Sequence, residues 1–323
     1  MLVEEELDEA PLNDLAWDLV HQVLSRLDEL RIDAVAGFGP GVLLDFGVDA
    51  PGSLAAGLAL VEICMAGLCE VSLTAGQLCG LGWPMLCVQT DNPVEACLLS
   101  QYAGWKIKTD EYFAIGSGPM RAAAAKEPLF ERLQYKEICD GVVGILESSQ
   151  LPGPDIVEMI AADCGVSPDH VALLVAPTAS LAGTMQVVAR SVETALHKLS
   201  ELGFDITRVD SAQGSAPVPP VAADDLTGIG RTNDAILYGA RVTLWVTGDD
   251  ESIRELGPRL PSSGSSQHGR PFLEIFEEAG QDFYKIDPLL FSPAQVVFHN
   301  VESGRVHHFG QVNEDILKLS FGL

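Results

Sequence analysis

Arg190 and Glu193 are the pair best placed to do chemistry in this 323-residue chain. Met185, Val188, Val192, Leu196 and Leu199 recur at helical spacing. Gln186, Arg190, Glu193 and His197 form a second stripe, about 60° wide, beside that apolar one. A polar stripe adjoining a core stripe is how a helix lines a cleft between domains. At i and i+3 the two charged side chains can touch. An ordinary exposed ion pair, worth a few tenths of a kcal/mol, has the same spacing.

Three glycine-rich segments invite a nucleotide reading: Gly37-Phe38-Gly39-Pro40-Gly41, Gly116-Ser117-Gly118-Pro119 and Gly228-Ile229-Gly230. None completes GxGxxG, and GxxxxGK[ST] is absent, so tight turns are the ordinary reading. The second segment, extended to Met120-Arg121, can offer backbone N–H groups and a guanidinium to an anion. The seven histidines form no HxxxH or HExxH, the seven cysteines no CxxC, and GxSxG does not occur. No metal site or serine nucleophile is therefore expected.

The elements that must position these residues alternate. Asn13–Leu30 and Ser53–Leu68 read as helices, and Gly41–Val48 and Pro84–Thr90 as strands. Asn92-Pro93, with Glu95 behind, starts a helix that Gly104 can stop. Val171–Pro177 is a buried-strand pattern. Thr178 and Ser180 supply cap chemistry for a helix running to Leu202, with Gly203 as its C′ residue. Phe204–Val209 reads as the next strand, and Pro217–Pro220 and Pro261–Ser266 as loops. Repeated strand and helix units predict an α/β (α+β) fold of two layered domains. The Leu151-Pro152-Gly153-Pro154 turn places a boundary between residues 1–150 and 151–323.

Acidic residues outnumber basic ones 46 to 19, a net charge of −27, and 47% of the chain is apolar. Such a composition excludes intrinsic disorder and disfavours nucleic acid or anionic membrane as partners. Residues 1–20 are acidic where a secretory signal is basic, and no apolar run reaches the ~18 residues of a membrane span. Cysteines of odd number and irregular spacing fit a reducing compartment. A cytoplasmic protein is expected.

Several motifs then occur in order: Thr90-Asp91-Asn92-Pro93, Ser100-Gln101-Tyr102-Ala103-Gly104-Trp105, Gly116-Ser117-Gly118-Pro119, Ala176-Pro177-Thr178-Ala179-Ser180, Thr232-Asn233-Asp234, Gly269-Arg270-Pro271-Phe272 and Ser320-Phe321-Gly322. From about Val42 to the C-terminus the chain resembles the methenyltetrahydromethanopterin cyclohydrolases, C1-transfer enzymes of methanogenic archaea and some methylotrophic bacteria. The resemblance implies that water adds to the methenyl carbon bridging N5 and N10 of a pterin C1 carrier, giving the N5-formyl product reversibly. It credits the Arg and Glu at positions 190 and 193 with catalysis. Glu193 would deprotonate the attacking water, with Arg190 keeping it ionised and oriented. Substrate-binding candidates are Asp91, Asn92, Ser117, Gly118, Thr178, Ser180 and Asn233 within those motifs, Arg121 just after the second glycine-rich segment and Gln186 in the polar stripe; Gly116–Arg121 and the helix start at Asn92 are the candidates for holding the anionic tail.

The amidinium-like substrate is already electrophilic, so no metal or cofactor is implied beyond the tetrahydromethanopterin derivative that reacts. The resemblance also implies a pocket between two α/β domains and a homotrimer. Two departures bear on which form of the carrier is preferred: Ala212-Gln213-Gly214 lacks an aromatic residue, and Arg231 replaces a small residue before Thr232. A pterin-binding paralogue without catalysis, serving as carrier or assembly subunit, is the alternative; the retained Arg190 and Glu193 count against it. A hydrolase of an unrelated amidine or cyclic amide is a third reading.

Overall fold

A computed structural model of the chain describes residues 10–36 and 41–323. Residues 1–9 and 37–40, with most of the acidic start and of the first glycine-rich segment, lie outside them. Helices α1 (Leu12–Leu24) and α2 (Leu27–Leu30) lead to β1 (Asp33–Ala34) and β2 (Val42–Asp45). Helix α3 (Leu54–Cys64) carries the chain to the hairpin of β3 (Glu70–Leu78) and β4 (Leu81–Thr90). A π-helix (Val94–Gln101), β5 (Trp105–Lys108), β6 (Phe113–Ser117), α4 (Met120–Ala124), α5 (Pro128–Leu133), β7 (Val142–Glu147), α6 (Pro154–Cys164) and β8 (Val171–Ala176) follow. Helices α7 (Leu181–Val188) and α8 (Ser191–Glu201) precede β9 (Val209–Pro217), α9 (Asp225–Gly239) and β10 (Arg241–Val246). The chain closes with α10 (Asp250–Leu256), α11 (Phe272–Glu278), β11 (Gln295–Asn300), β12 (Val306–Gly310) and α12 (Glu314–Phe321).

The strands form two six-stranded mixed sheets, an α+β arrangement as expected. The first runs β1-β2-β8-β7-β6-β5, the second β12-β11-β10-β9-β4-β3. Every residue of β8, Val-Ala-Leu-Leu-Val-Ala, is buried, because β2 and β7 flank it in parallel and helices cover both faces. In β9 and β10 burial alternates, one face packing on α8 and α9. Residue 150 lies in the loop between β7 and α6, and sheet membership does not divide there. β8 belongs to the first sheet although it follows that loop, and β3 and β4 belong to the second although they precede it.

Three expected elements differ. The Asn13–Leu30 helix is interrupted at Ser25–Arg26, and the helix predicted from Ser180 to Leu202 breaks at Ala189–Arg190. Phe204–Val209 is instead a short 3-10 turn, Ile206–Arg208, capped by Asp205, whose carboxylate accepts from Thr207 N at 3.1 Å; the strand starts at Val209. Ser180 does cap α7, its Oγ accepting from Gly183 N at 3.0 Å, and Gly203 follows α8 with φ +83°. No helix among the described residues is long and apolar enough to cross a membrane.

α7 packs on α3 and α9, and α8 on β9, β10 and the π-helix, so this helix pair lies between the two sheets. The turn opposite it, Ser117–Arg121, is fastened from a distance. Glu137 accepts from Leu12 N and Asn13 N at 2.9 Å each, capping α1. Buried Asn13 then donates to Pro119 O at 3.0 Å and accepts from Val143 N at 2.9 Å. Removing the Asn13 side chain leaves Pro119 O and Val143 N without this partner and takes one donor from Glu137 in a dry interior. Asn13→Ala is expected to cost about 2–4 kcal/mol in urea unfolding; an unchanged midpoint would show that this junction is not needed.

Candidate active site

The break between α7 and α8 creates the site. Ala189, Arg190 and Ser191 are ordinary helix residues, so local propensity does not cause it; all three are buried in tertiary contacts. Arg190 becomes the N-cap residue of α8, and Glu193 falls in that helix's first turn, where the N–H ends favour negative charge.

Ser117, at the end of β6, ties the groups together. Its Oγ accepts from Arg190 at 3.3 Å and from Gln186 Nε2 at 3.4 Å, and lies 3.6 Å from Cys64 Sγ. Arg190 Nε is buried without an acceptor. Glu193 is 3% exposed. Among the described residues its carboxylate has no hydrogen-bond donor and no cation within 4 Å. Arg190 and Glu193 therefore share one side of the site without closing an ion pair on each other. Burial pushes the Glu193 carboxyl up to about 7; Arg190, and then Arg121, pull it down by less. The pull expected of Arg190 is present, and desolvation outweighs it.

Gly118 adopts φ +89°, open to glycine at little cost, and donates its N–H to Ser100 O at 2.9 Å. Arg121 is buried, with its donors committed inside the protein. Its Nε meets Glu127 at 3.0 Å, its second nitrogen also pairs with Glu127, and its third reaches Leu98 O and Ser100 O at 3.1 and 3.0 Å. It thus grips the π-helix and lends the site its charge.

The other predicted residues have contacts of their own. Thr178 donates to Glu147, and Ser180 is the α7 cap. Asn233 donates to Ile229 O inside α9, at 2.9 Å. Asp91 and Asn92 line an open groove of about 880 Å³ with Gln89, Gln213 and Trp245, and Ser211 donates to Asp91 at 2.7 Å. Tyr102, within the Ser100–Trp105 motif, carries no role that its sequence context assigns. The fold stacks its ring on His197, which burial holds neutral by lowering it to about 4.

An enzymatic site built on a buried, partnerless carboxylate beside a guanidinium finds its class in comparison with known families. Residues 11–321 match the model of the cyclohydrolase (MCH) family, and the chain belongs to it. Its relatives are named methenyltetrahydromethanopterin cyclohydrolase. One from Rhodopirellula baltica is 51% identical over 289 residues, 87% of this chain and 86% of the relative. Those from Methylobacillus flagellatus and Methanospirillum hungatei are 44% and 42% identical over 312 residues each, covering 96% of this chain and 95% and 98% of theirs.

A carboxyl raised in the folded state binds more protons there than in the unfolded chain between its two values. Its charge therefore destabilises the fold increasingly as pH rises from about 4.5 to about 7, and by a constant amount above that. Glu193→Gln, neutral at every pH, is expected to be more stable than the parent at pH 8 by at most about 3 kcal/mol. The advantage should vanish by pH 4; an equal difference at both pH values would place the carboxyl's titration elsewhere.

Proposed function

We propose that this chain hydrolyses 5,10-methenyl-tetrahydromethanopterin to the N5-formyl compound, reversibly, with Glu193 as the base. The observation that carries this reading is the Glu193 carboxylate: buried, free of protein donors, and raised to about 7, where a group can both take and return a proton near neutrality. The names of relatives across nearly the full chain supply the substrate class.

The chemistry follows from charge. The amidinium cation of the substrate, arriving beside Glu193, favours the ionised carboxylate. Glu193 takes a proton from water as the water oxygen bonds to the methenyl carbon, and the cation becomes a neutral carbinolamine. With the cation gone, the carboxyl regains its raised affinity and holds that proton. It then delivers it to N10 as the carbon–N10 bond breaks, while the hydroxyl proton leaves to solvent and the formyl C=O forms. One water is consumed and one proton released. Arg190, fixed on Ser117, restrains the pKa of the carboxylate from a distance. The protein needs no group beyond the substrate for these steps. A cytoplasmic homotrimer belongs to the same proposal, and sedimentation of the purified protein tests the assembly.

Loss of the near-ultraviolet methenyl band, with methenyl-tetrahydrofolate in parallel, reports the reaction. The parent should consume the methanopterin substrate, with kcat/KM rising through a midpoint near pH 7. Glu193→Gln should lower kcat by about 10²–10⁴-fold while still binding the pterin. Arg190→Ala should move the midpoint upward. A parent that binds the pterin without consuming it would instead be a carrier.

A further inference from the structure

Helices α8 and α9 pack on one face of the second sheet. Across the other face runs a row of residues that crosses all six strands, each directly opposite the next: Glu70, Gln89, Gln213, Thr243, Val297 and His308. Strands about 4.8 Å apart make this face about 24 Å across. Gln89, Gln213 and His308 are exposed and Thr243 and Val297 half-buried, so the face is open to solvent. Its orientation is fixed by Gly214, where a Cβ would come within 2.3 Å of Ser191 Oγ on α8; the neighbours Gln213 and Ser215 point the other way.

This open face is nearly free of charge. From Val71 to Thr90 the chain carries no Asp, Glu, Lys or Arg. The six strands together hold three such residues, Glu70, Asp210 and Arg241, each first or second in its strand. Exposed surface ordinarily carries about one charged residue in three or four. Apolar and neutral polar groups stand here instead. Trp245 lies beside His299, ring centroids 5.5 Å apart, and Val306, opposite His299, is 59% exposed. The side chains of Gln213 and Thr243 have no hydrogen-bond partner among the described residues. The core of a protein–protein interface has this composition, depleted of charge and enriched in aromatic and apolar groups.

We propose that the open face of the second sheet is the surface by which this chain docks on a second copy of itself. The occupant follows from charge. At −27 each, two copies repel over most of their surface. They can approach closely only where no carboxylate is stranded out of water. The row from Gln89 to His308 meets that condition, and Glu70 stays at its rim, held by Gln89 Nε2 at 2.6 Å. A basic partner would instead seek the carboxylates that this face lacks. The inference rests on the assembly proposed above and names the surface that forms it.

The test is sedimentation velocity of the purified full chain as parent, Thr243→Glu and Gln22→Glu. Gln22 is exposed on α1, which packs on β7 of the first sheet, so its variant adds the same charge away from this face. The parent should sediment as a multimer and Gln22→Glu should match it. Thr243→Glu should come apart at protein concentrations at least about ten-fold higher than the parent does, because like charges then face each other across the contact. Circular dichroism checks that the variant is folded; where it is not, Gln213→Glu, which keeps the shape of the side chain, takes its place. A multimeric parent that the face variant does not weaken, or that Gln22→Glu weakens equally, overturns this surface and leaves the proposed assembly standing. A parent that stays a single chain at every concentration removes both.

Discussion

An ionisable carboxyl held out of water, near positive charge but not touching it, is the constraint around which the site is arranged. Had Glu193 closed a salt bridge with Arg190, its carboxylate would be stable, satisfied and a poor base. Had it reached solvent, it would titrate as an ordinary glutamate. The break at Ala189–Arg190 avoids both. It moves the guanidinium onto the end of α8 and lets Ser117 of the opposite sheet hold it, while the first turn of the helix keeps Glu193 in place. Arg121 adds a second, more remote charge whose three nitrogens bind Glu127 and the π-helix. Two guanidiniums thus influence the carboxylate electrostatically without consuming its lone pairs.

Such a site carries a stability cost that the surrounding layers offset. The helix pair bearing the site is sandwiched, with Val192, Ala195, Leu196 and Leu199 of α8 wholly buried in the largest apolar cluster. On the far side of α8's first turn, the Asn13–Glu137 junction fixes Pro119 and hence the turn after Ser117. Even Lys198, further along α8, is buried and donates to Pro261 O at 2.9 Å and to Leu289 O. The helix is held at both ends by polar contacts to loops, and along its length by apolar packing.

Local patterns were legible. The Arg190–Glu193 stripe was visible because the apolar period survives on either side of the break, and β8 because both its faces are covered and all six of its residues are buried. The break itself left no trace: alanine, arginine and serine continue a helix as readily as they interrupt one. The sheet partner of β4 was also hidden, because its pairing with β9 is decided over more than a hundred residues. Arg121 looked like an anion ligand from its glycine-rich neighbours. Its contact with Glu127 is one that only the folded turn discloses, and the seat of Tyr102 depends on Gly104 and His197 together.

The interleaving of the two sheets has a consequence for how the molecule comes into being. The first sheet cannot close until β8 leaves the ribosome, since β2 and β7 flank it; β4 must wait still longer for β9. For much of synthesis the chain therefore carries unpaired strand edges and an open apolar surface. Parallel pairings between residues so far apart in sequence form slowly. The heavy negative charge of the chain, which the chemistry does not require, keeps such half-made molecules apart during that interval.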